Sequence, residues 1–192
     1  PMNLLAIETS TEQLSLAVLC GERLFVRDVD AGQQHSELTL PLLRELMAES
    51  GLAMHDLDAV AFGQGPGSFT GVRIACGLAQ GMALGLSKPV LPVQTQMALA
   101  EQAGAAKVLV ALDARMGEIY LAAYERSATE PTGWEASIAP CLCGPANLPA
   151  LPGEGWVGLG SAFDSAALAG ALDARFGAQM IAAGQGALPS AA

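Results

Sequence analysis

The chain has 192 residues, of which 52% are apolar and only 15% charged. That is long enough for one domain or two small ones, and apolar enough for a sizeable core without disulfide or metal support. Nine Lys and Arg against 19 Asp and Glu give a net charge of −10. The basic residues are scattered along the sequence. A protein that grips tRNA or DNA by itself is therefore not expected, because polyanions are held by basic patches.

The cysteines and histidines argue against a metal site and a disulfide framework. Cys141 and Cys143 are neighbours in sequence but have no histidine near them. The two histidines, His35 and His55, are twenty positions apart and do not form a metal-binding pair. We expect no bound metal, and a reducing, cytoplasmic location in which the cysteines stay free.

No membrane segment is expected. The longest apolar stretch, residues 74–86, is interrupted by Gln80 and is shorter than a membrane span requires. No signal-peptide pattern is expected at the start of the chain either.

The first hundred residues predict an alternation of strands and helices. Short apolar or alternating runs indicate strands, and apolar residues at three- and four-residue spacing indicate helices. We predict strands at residues 3–7, 14–18, 24–29, 59–62 and 90–93, and helices at 38–47, 72–86 and 98–102. Gly51 is the expected end of the first helix.

A second unit is predicted to begin near Lys107. Strands at 108–112 and 119–124, joined by the Asp113–Glu118 turn, repeat the hairpin that opens the chain. Two halves that start alike indicate a duplicated α/β fold, divided into residues 1–104 and 105–192. A helix is predicted at 161–176, no element is placed in the Pro- and Gly-rich residues 127–155, and residues 184–192 are expected to be poorly ordered.

The stretch from Gly63 to Arg73, GQGPGSFTGVR, joins a predicted strand to a predicted helix. A corner of this kind can aim backbone N–H groups at an anion. A tight turn with Ser68 as the helix N-cap explains the same residues. No Lys follows the last glycine, so the spacing is not that of a phosphate-binding P-loop.

This stretch resembles the signature of the bacterial TsaB family, also called YeaZ. The signature residues are Gly65, Pro66, Gly67, Ser68, Phe69, Thr70 and Gly71. Leu5–Ser10 (LAIETS), the HSE segment at His35 with the following Leu-Pro, and the hairpin from Asp113 to Tyr120 resemble further motifs of this family. The matches lie in roughly the first two thirds of the chain, and later residues match only weakly, at Trp156–Gly160.

The resemblance implies the actin-like, Hsp70-like ATPase (ASKHA) fold, with two lobes that each contain a mixed β-sheet and flanking helices. Members usually have a further C-terminal helix, so the second lobe is expected to be shortened. The resemblance also implies a non-catalytic subunit that binds the TsaD-type transferase and supports threonylcarbamoyl transfer to adenosine 37 of ANN-decoding tRNAs, the t6A modification. A TsaE-type ATPase is a further expected partner, tRNA is contacted only indirectly, and the chain alone is expected to form a homodimer.

In actin-like ATPases the turn after the first strand holds phosphate and metal, and here that turn contains Glu8, Thr9 and Ser10. Glu8 could contact a metal-bound water, and Thr9 or Ser10 could donate to a phosphate. A polar turn bonded to its own backbone is the alternative. We expect no intrinsic cofactor, and ATP or ADP with Mg at most at the interface of a complex. An independent ATP-dependent phosphotransferase of this fold is the alternative function.

The predicted helix 72–86 has glycines at every fourth position. Each interior glycine costs about 1 kcal/mol of helix stability relative to alanine, so a close contact should offset the loss. The contact could be with a helix of this chain or with another molecule. The predicted partner interface consists of His35, Leu38, Leu42, Leu46, Arg73, Gly77, Gly81 and Gly85. The face with Ile74, Leu78 and Met82 is predicted to cover the sheet.

Overall fold

The computed structural model describes residues 2–184 and 186–192. The chain divides into two compact units: unit 1 is Pro1–Thr95 with Pro189–Ala192, and unit 2 is Gln96–Leu188. The sequence placed the boundary after residue 104. The division falls earlier because Leu99 and Ala100, which follow Thr95, are buried in the core of the second sheet.

Unit 1 contains every element that the sequence predicted for it. Its strands are β1 (Asn3–Glu8), β2 (Gln13–Cys20), β3 (Arg23–Asp30), β4 (Ala59–Gly63) and β5 (Val90–Val93), and its helices are α1 (His35–Ser50) and α2 (Phe69–Leu86). The sheet order is β3-β2-β1-β4-β5. The first three strands pair antiparallel through short turns, whereas β1, β4 and β5 are parallel. Helix α1 connects β3 to β4, and α2 connects β4 to β5.

The core of unit 1 lies between its sheet and its two helices. Leu5 and Ile7 of β1 and Val60 of β4 are buried there, together with Leu43 of α1. Gly51 ends α1 in the left-handed conformation, with φ of 76°, as predicted for a helix C-cap. A non-glycine residue at this φ would be strained.

Unit 2 repeats the topology of unit 1. Its elements are α3 (Thr95–Gln102), β6 (Lys107–Arg115), β7 (Glu118–Arg126), β8 (Trp134–Cys143), β9 (Trp156–Leu159), α4 (Ala166–Phe176) and β10 (Met180–Gly184). The sheet order is β8-β7-β6-β9-β10. β6 pairs antiparallel with β7 and parallel with β9, as β1 pairs with β2 and β4. The prediction of a duplicated, two-lobed α/β fold with mixed sheets is confirmed.

The second lobe is the shorter one within the described residues. In unit 1 the 16-residue α1 connects β3 to β4. The corresponding connection in unit 2, from β8 to β9, contains only a short 3₁₀ turn at Pro145–Asn147.

The predicted helix 161–176 is wrong in its extent, because it is divided into a 3₁₀ turn at Ser161–Phe163 and α4. Strand β8 forms within residues 127–155 and β10 at Met180–Gly184, where the sequence predicted no element. The last residues also have a defined place, since Ala191 donates its N–H to the Ser15 hydroxyl at 2.8 Å.

Helix α2 has 18 residues and is, by length and composition alone, apolar enough to cross a membrane. The apolar stretch of residues 74–86, expected to be too short for a membrane span, lies within this longer helix, which begins at Phe69. In unit 1 the helix lies on the sheet, with Ala75, Ala79 and Ala83 buried against the core.

Candidate functional site

The corner between β4 and α2 is bonded to the turn that follows β1. The Ser68 N–H donates to the Ser10 carbonyl at 2.7 Å, and the Thr9 hydroxyl donates to the Gly71 carbonyl at 2.7 Å. Ser68 also caps α2, because its hydroxyl accepts the Gly71 N–H at 3.2 Å. Of the two interpretations of this corner, an anion site or a tight turn with Ser68 as the N-cap, the structure shows the capped turn.

Gly63, Gly67 and Gly71 are the points at which this corner touches the β1 turn. A Cβ atom built on any of them would lie under 3.0 Å from that turn, closer than real Cβ atoms come. The obstructing groups are the Glu8 carboxyl, the Ser10 carbonyl and the Thr9 carbonyl, respectively. These three glycines are therefore required because the two segments approach closely. Gly65 is required for a different reason, since its φ of 91° is one that other residues rarely adopt.

The predicted phosphate turn is buried. Glu8 is only 3% exposed, and its carboxyl accepts the Ser10 N–H at 2.6 Å and the Thr95 hydroxyl at 3.1 Å. Burial raises the pKa of Glu8 above its ordinary value, although hydrogen bonds from Ser10, Thr95 and Thr9 act in the opposite direction. The side chains of Glu8 and Thr9 thus bond within the chain. A nucleotide contact at Glu8, Thr9 and Ser10 stays a prediction.

Thr95 is a member of this site that sequence reasoning missed. It lies two residues beyond the end of β5, at the start of α3, whereas Gln64 follows β4 directly and Thr9 follows β1 directly. Because these three strands are parallel neighbours, their carboxyl ends meet at one edge of the sheet. The signal in the sequence is the position of Thr95 just after a predicted strand, which places it beside Glu8 only once the order of the strands is known.

No metal centre is visible in the described part of the chain, where no group of three or more His, Cys, Asp or Glu side chains could hold an ion. His35 is buried, and its Nε2 atom lies 3.4 Å from the Gln13 carbonyl oxygen. This position gives His35 a structural contact inside unit 1.

The glycine stripe of α2, defined here as Arg73, Gly77, Gly81 and Gly85, is exposed. A Cβ atom built on any of its three glycines meets nothing within 4 Å. Within residues 2–184 and 186–192, no helix therefore packs closely on the stripe. The glycines could have been explained by a helix of this chain or by another molecule, and this observation leaves the contact with another molecule.

The side of α2 that covers the sheet differs from the predicted one. The buried residues are Gly71, Ala75, Ala79 and Ala83. Ile74, Leu78 and Met82 are only half-buried, although Leu78 and Met82 pack against the same core. Small side chains allow the helix to lie close to the strands, which a larger apolar face would prevent.

An aromatic–cation pair lies at the start of the glycine stripe. The Arg73 guanidinium lies over the Phe69 ring, 3.3 Å from its centroid, and also donates to the Phe69 carbonyl at 3.2 Å. Phe69 is 73% exposed, and Leu84 near the other end of α2 is 83% exposed. The pair was not predicted, although its four-residue spacing on a helix is a usable signal.

The α1 residues predicted for the interface divide into two groups. Leu46 is fully buried in the core of unit 1, and His35 is nearly so. Their side chains therefore stabilise the fold and present no surface to a partner. Leu38 and Leu42 are half-buried and keep part of their surface accessible.

Comparison with known proteins gives consistent results. Residues 29–187 match a family model described as TsaD, tRNA N6-adenosine threonylcarbamoyltransferase. The tRNA threonylcarbamoyladenosine biosynthesis protein TsaB of Haemophilus influenzae is 40% identical over 154 residues, which cover 75% of this chain and 65% of that protein. TsaB of Escherichia coli is 43% identical over 129 residues, which cover 65% of this chain and 56% of that protein.

Two solved structures from Pseudomonas aeruginosa match all of this chain and 87% of their own. YeaZ superimposes with a TM-score of 0.82, and a protein described as similar to peptidase YeaZ with 0.87, each at 34% identity. The fold and the site define a two-lobed α/β protein whose signature loop packs against its first turn. The chain belongs to the TsaB (YeaZ) family, as its motifs predicted. It spans less than two thirds of the length of the two curated relatives.

Proposed function

We propose that this chain is a non-catalytic scaffold subunit of t6A biosynthesis, which binds a TsaD-type transferase and supports threonylcarbamoyl transfer to adenosine 37 of ANN-decoding tRNAs. The observation that carries the proposal is the open glycine stripe of α2, with nothing within 4 Å of a Cβ at Gly77, Gly81 or Gly85.

The stripe has a cost that the fold does not offset. Each interior helical glycine is less stable than alanine by about 1 kcal/mol, so the three cost roughly 3 kcal/mol. Alanine would fit at all three positions without a contact. A partner helix that approaches the bare backbone closely offsets this loss by dispersion contacts along the stripe.

The surroundings of the stripe fit a protein interface. Exposed Phe69 and Leu84 provide apolar surface near its two ends, and Arg73 is an aromatic-stacked cation of the kind enriched at binding hot spots. A carboxylate on the partner would complement Arg73. A second copy of this chain presents the same stripe, so we also propose a homodimer when the chain is alone.

The non-catalytic part of the proposal is supported by the side chains themselves. Glu8 and Thr9 bond within the chain, and His35 is buried. With a net charge of −10, the chain is suited to contact tRNA only through its complex. We place the complex in the cytoplasm, with a TsaE-type ATPase as a further component and any ATP or ADP with Mg at an interface between subunits.

A reconstituted reaction tests the proposal. Purified TsaD, TsaE, a TsaC-type enzyme, ATP, threonine, bicarbonate and an ANN-decoding tRNA are incubated with and without this chain, and t6A is measured by mass spectrometry of digested tRNA. We expect t6A only when this chain is present, and no ATP hydrolysis by this chain alone. Equal t6A without the chain would refute the scaffold function. Sustained ATP turnover without partners would favour the phosphotransferase alternative.

A further inference from the structure

A buried polar cluster lies at the sheet edge where β1, β4 and β5 end. It consists of Glu8, Ser10 and Thr95, which are 3%, 2% and 0% exposed. The Thr95 hydroxyl reaches both the Glu8 carboxyl at 3.1 Å and the Ser10 hydroxyl at 3.4 Å. The scaffold function proposed above uses none of these groups.

We propose that Glu8 is a positioning residue: through Ser10 and Thr95 its carboxyl fixes the β1 turn against the signature corner, and so fixes the start of α2 and the glycine stripe. This inference rests on the proposed partner-binding function of the stripe. It assigns the polar turn a role in orienting a protein surface.

The turn holds the start of α2 directly. Ser10 accepts the N–H of Ser68, the N-cap of α2, and Thr9 donates to the carbonyl of Gly71 in the first turn of the helix. Gly67 and Gly71 lie against the Ser10 and Thr9 carbonyls, so the two segments cannot slide past one another. A change in the shape of the turn must move the end of α2 from which the stripe extends.

Glu8 holds the shape of the turn. One carboxyl oxygen accepts the Ser10 N–H, which closes the turn from Glu8 to Ser10, and the other accepts from the hydroxyl of Thr95, two residues beyond β5. The same carboxyl lies against Gly63 at the end of β4. One side chain thus links the ends of three parallel strands.

The site needs the planar shape and the two polar atoms of the Glu8 side chain more than it needs a negative charge. The hydrogen bonds to the Glu8 carboxyl come from neutral donors of Ser10, Thr95 and Thr9. Glutamine has the same shape, can accept from the Ser10 N–H, and can donate to the Thr95 oxygen. Alanine removes both bonds and leaves a space beside Gly63.

The test compares Glu8→Gln, Glu8→Ala and Thr95→Val with the unaltered chain. Hydrogen exchange measures the protection of the amides of residues 71–76 in α2, which are the first hydrogen-bonded amides of the helix, and of those of β2 as a reference within unit 1. Titration calorimetry reports affinity for purified TsaD, with Gly81→Leu as the variant that alters the stripe itself.

We expect Glu8→Ala to lower protection in α2 by at least tenfold relative to β2 and to weaken TsaD binding by about tenfold. Glu8→Gln should restore both, and Thr95→Val should lower both by a smaller factor. If Glu8→Ala does not fold, the Thr95→Val result decides. Equal protection loss in β2 and α2 would assign Glu8 to general stability and overturn the proposal, as would unchanged affinity in Glu8→Ala.

The same data separate this inference from the proposed function. If Gly81→Leu binds TsaD as well as the unaltered chain, the stripe is not the interface and the proposed function fails. The exchange data on α2 then still show whether Glu8 fixes the helix.

Discussion

Gly81→Leu tests the glycine stripe at its centre. Gly81 lies in the middle of the 18-residue α2, so fraying at either helix end cannot accommodate a side chain there. A Cβ at this position meets nothing within 4 Å. The substitution therefore adds a side chain to the exposed face without a clash in the fold.

Two effects of opposite sign follow from this geometry. Leucine is a better helix former than glycine by close to 1 kcal/mol, which corresponds to a rise in melting temperature of about 2–4 °C for a chain of this size. A leucine on the stripe would hold a partner helix away from the backbone and remove dispersion contacts along its length. We expect partner affinity to fall by well over tenfold, which is more than about 1.4 kcal/mol.

Gly170→Leu is the matched control. Gly170 lies in α4, is exposed, and has nothing within 4 Å of a built Cβ. It should gain a similar amount of stability and leave binding unchanged. Calorimetric melting and TsaD titration on both variants separate the two effects. Unaltered binding by Gly81→Leu, or a loss of several degrees in its melting temperature, would refute the account of the stripe.

Three further predictions concern stability. Gly71→Ala should destabilise the chain by several kcal/mol because its methyl group meets the Thr9 carbonyl, whereas Gly77→Ala should stabilise it by up to about 1 kcal/mol. Urea unfolding of the two variants shows whether the glycines of α2 have two different functions. Burial raises the pKa of Glu8 in the folded state, so the folded chain binds more protons than the unfolded one. The free energy of unfolding should therefore fall as pH rises above 4.5, the ordinary pKa of a glutamate side chain. Glu8→Gln should remove this part of the pH dependence of melting, and an unchanged profile would contradict the prediction. Gln96 is fully buried, and no group of the described chain bonds its amide. Gln96→Met should therefore raise the melting temperature, and a clear loss would show that the amide is bonded by a water or a bound molecule.

Much of the fold could be predicted because its signals are local. Apolar runs and four-residue spacing predicted the strands and both α-helices of unit 1, and Gly51 marked the end of α1, whereas the 3₁₀ turn at Met54–Asp56 was not predicted. Strand β8 has no such signal, because it is an edge strand whose residues include Pro140 and whose pairing with β7 shifts register. A proline is tolerated in a strand at the edge of a sheet. Whether a strand lies at the edge is known only once the sheet has assembled, so the sequence around Pro140 does not indicate a strand.

The site could be predicted only as a set of positions. The glycines of the signature and the glycines of the α2 stripe both stand out in the sequence. The sequence does not show, however, that the first group avoids clashes whereas the second leaves a surface bare. Gly71 touches Thr9, which precedes it by 62 positions, and such a contact depends on strand order. The buried face of α2 was predicted only in part for a related reason. Leu78 and Met82 pack against the core, but the fully buried residues are Ala79 and its small neighbours.

The charge distribution of the two helices gives an independent argument that the exposed face of α2 is an interface. α1 has charged residues on its accessible surface, among them Glu37, Arg44 and Glu45, as expected of a helix that faces water. α2 is longer, is exposed along its whole stripe, and has Arg73 as its single charged residue. In a chain with a net charge of −10, a helix without a carboxylate is also the surface that repels an acidic second copy least. Low charge, bare backbone and exposed apolar ends occur on one face of one helix. Solvation alone accounts for none of these features, whereas close contact with another helix accounts for all three.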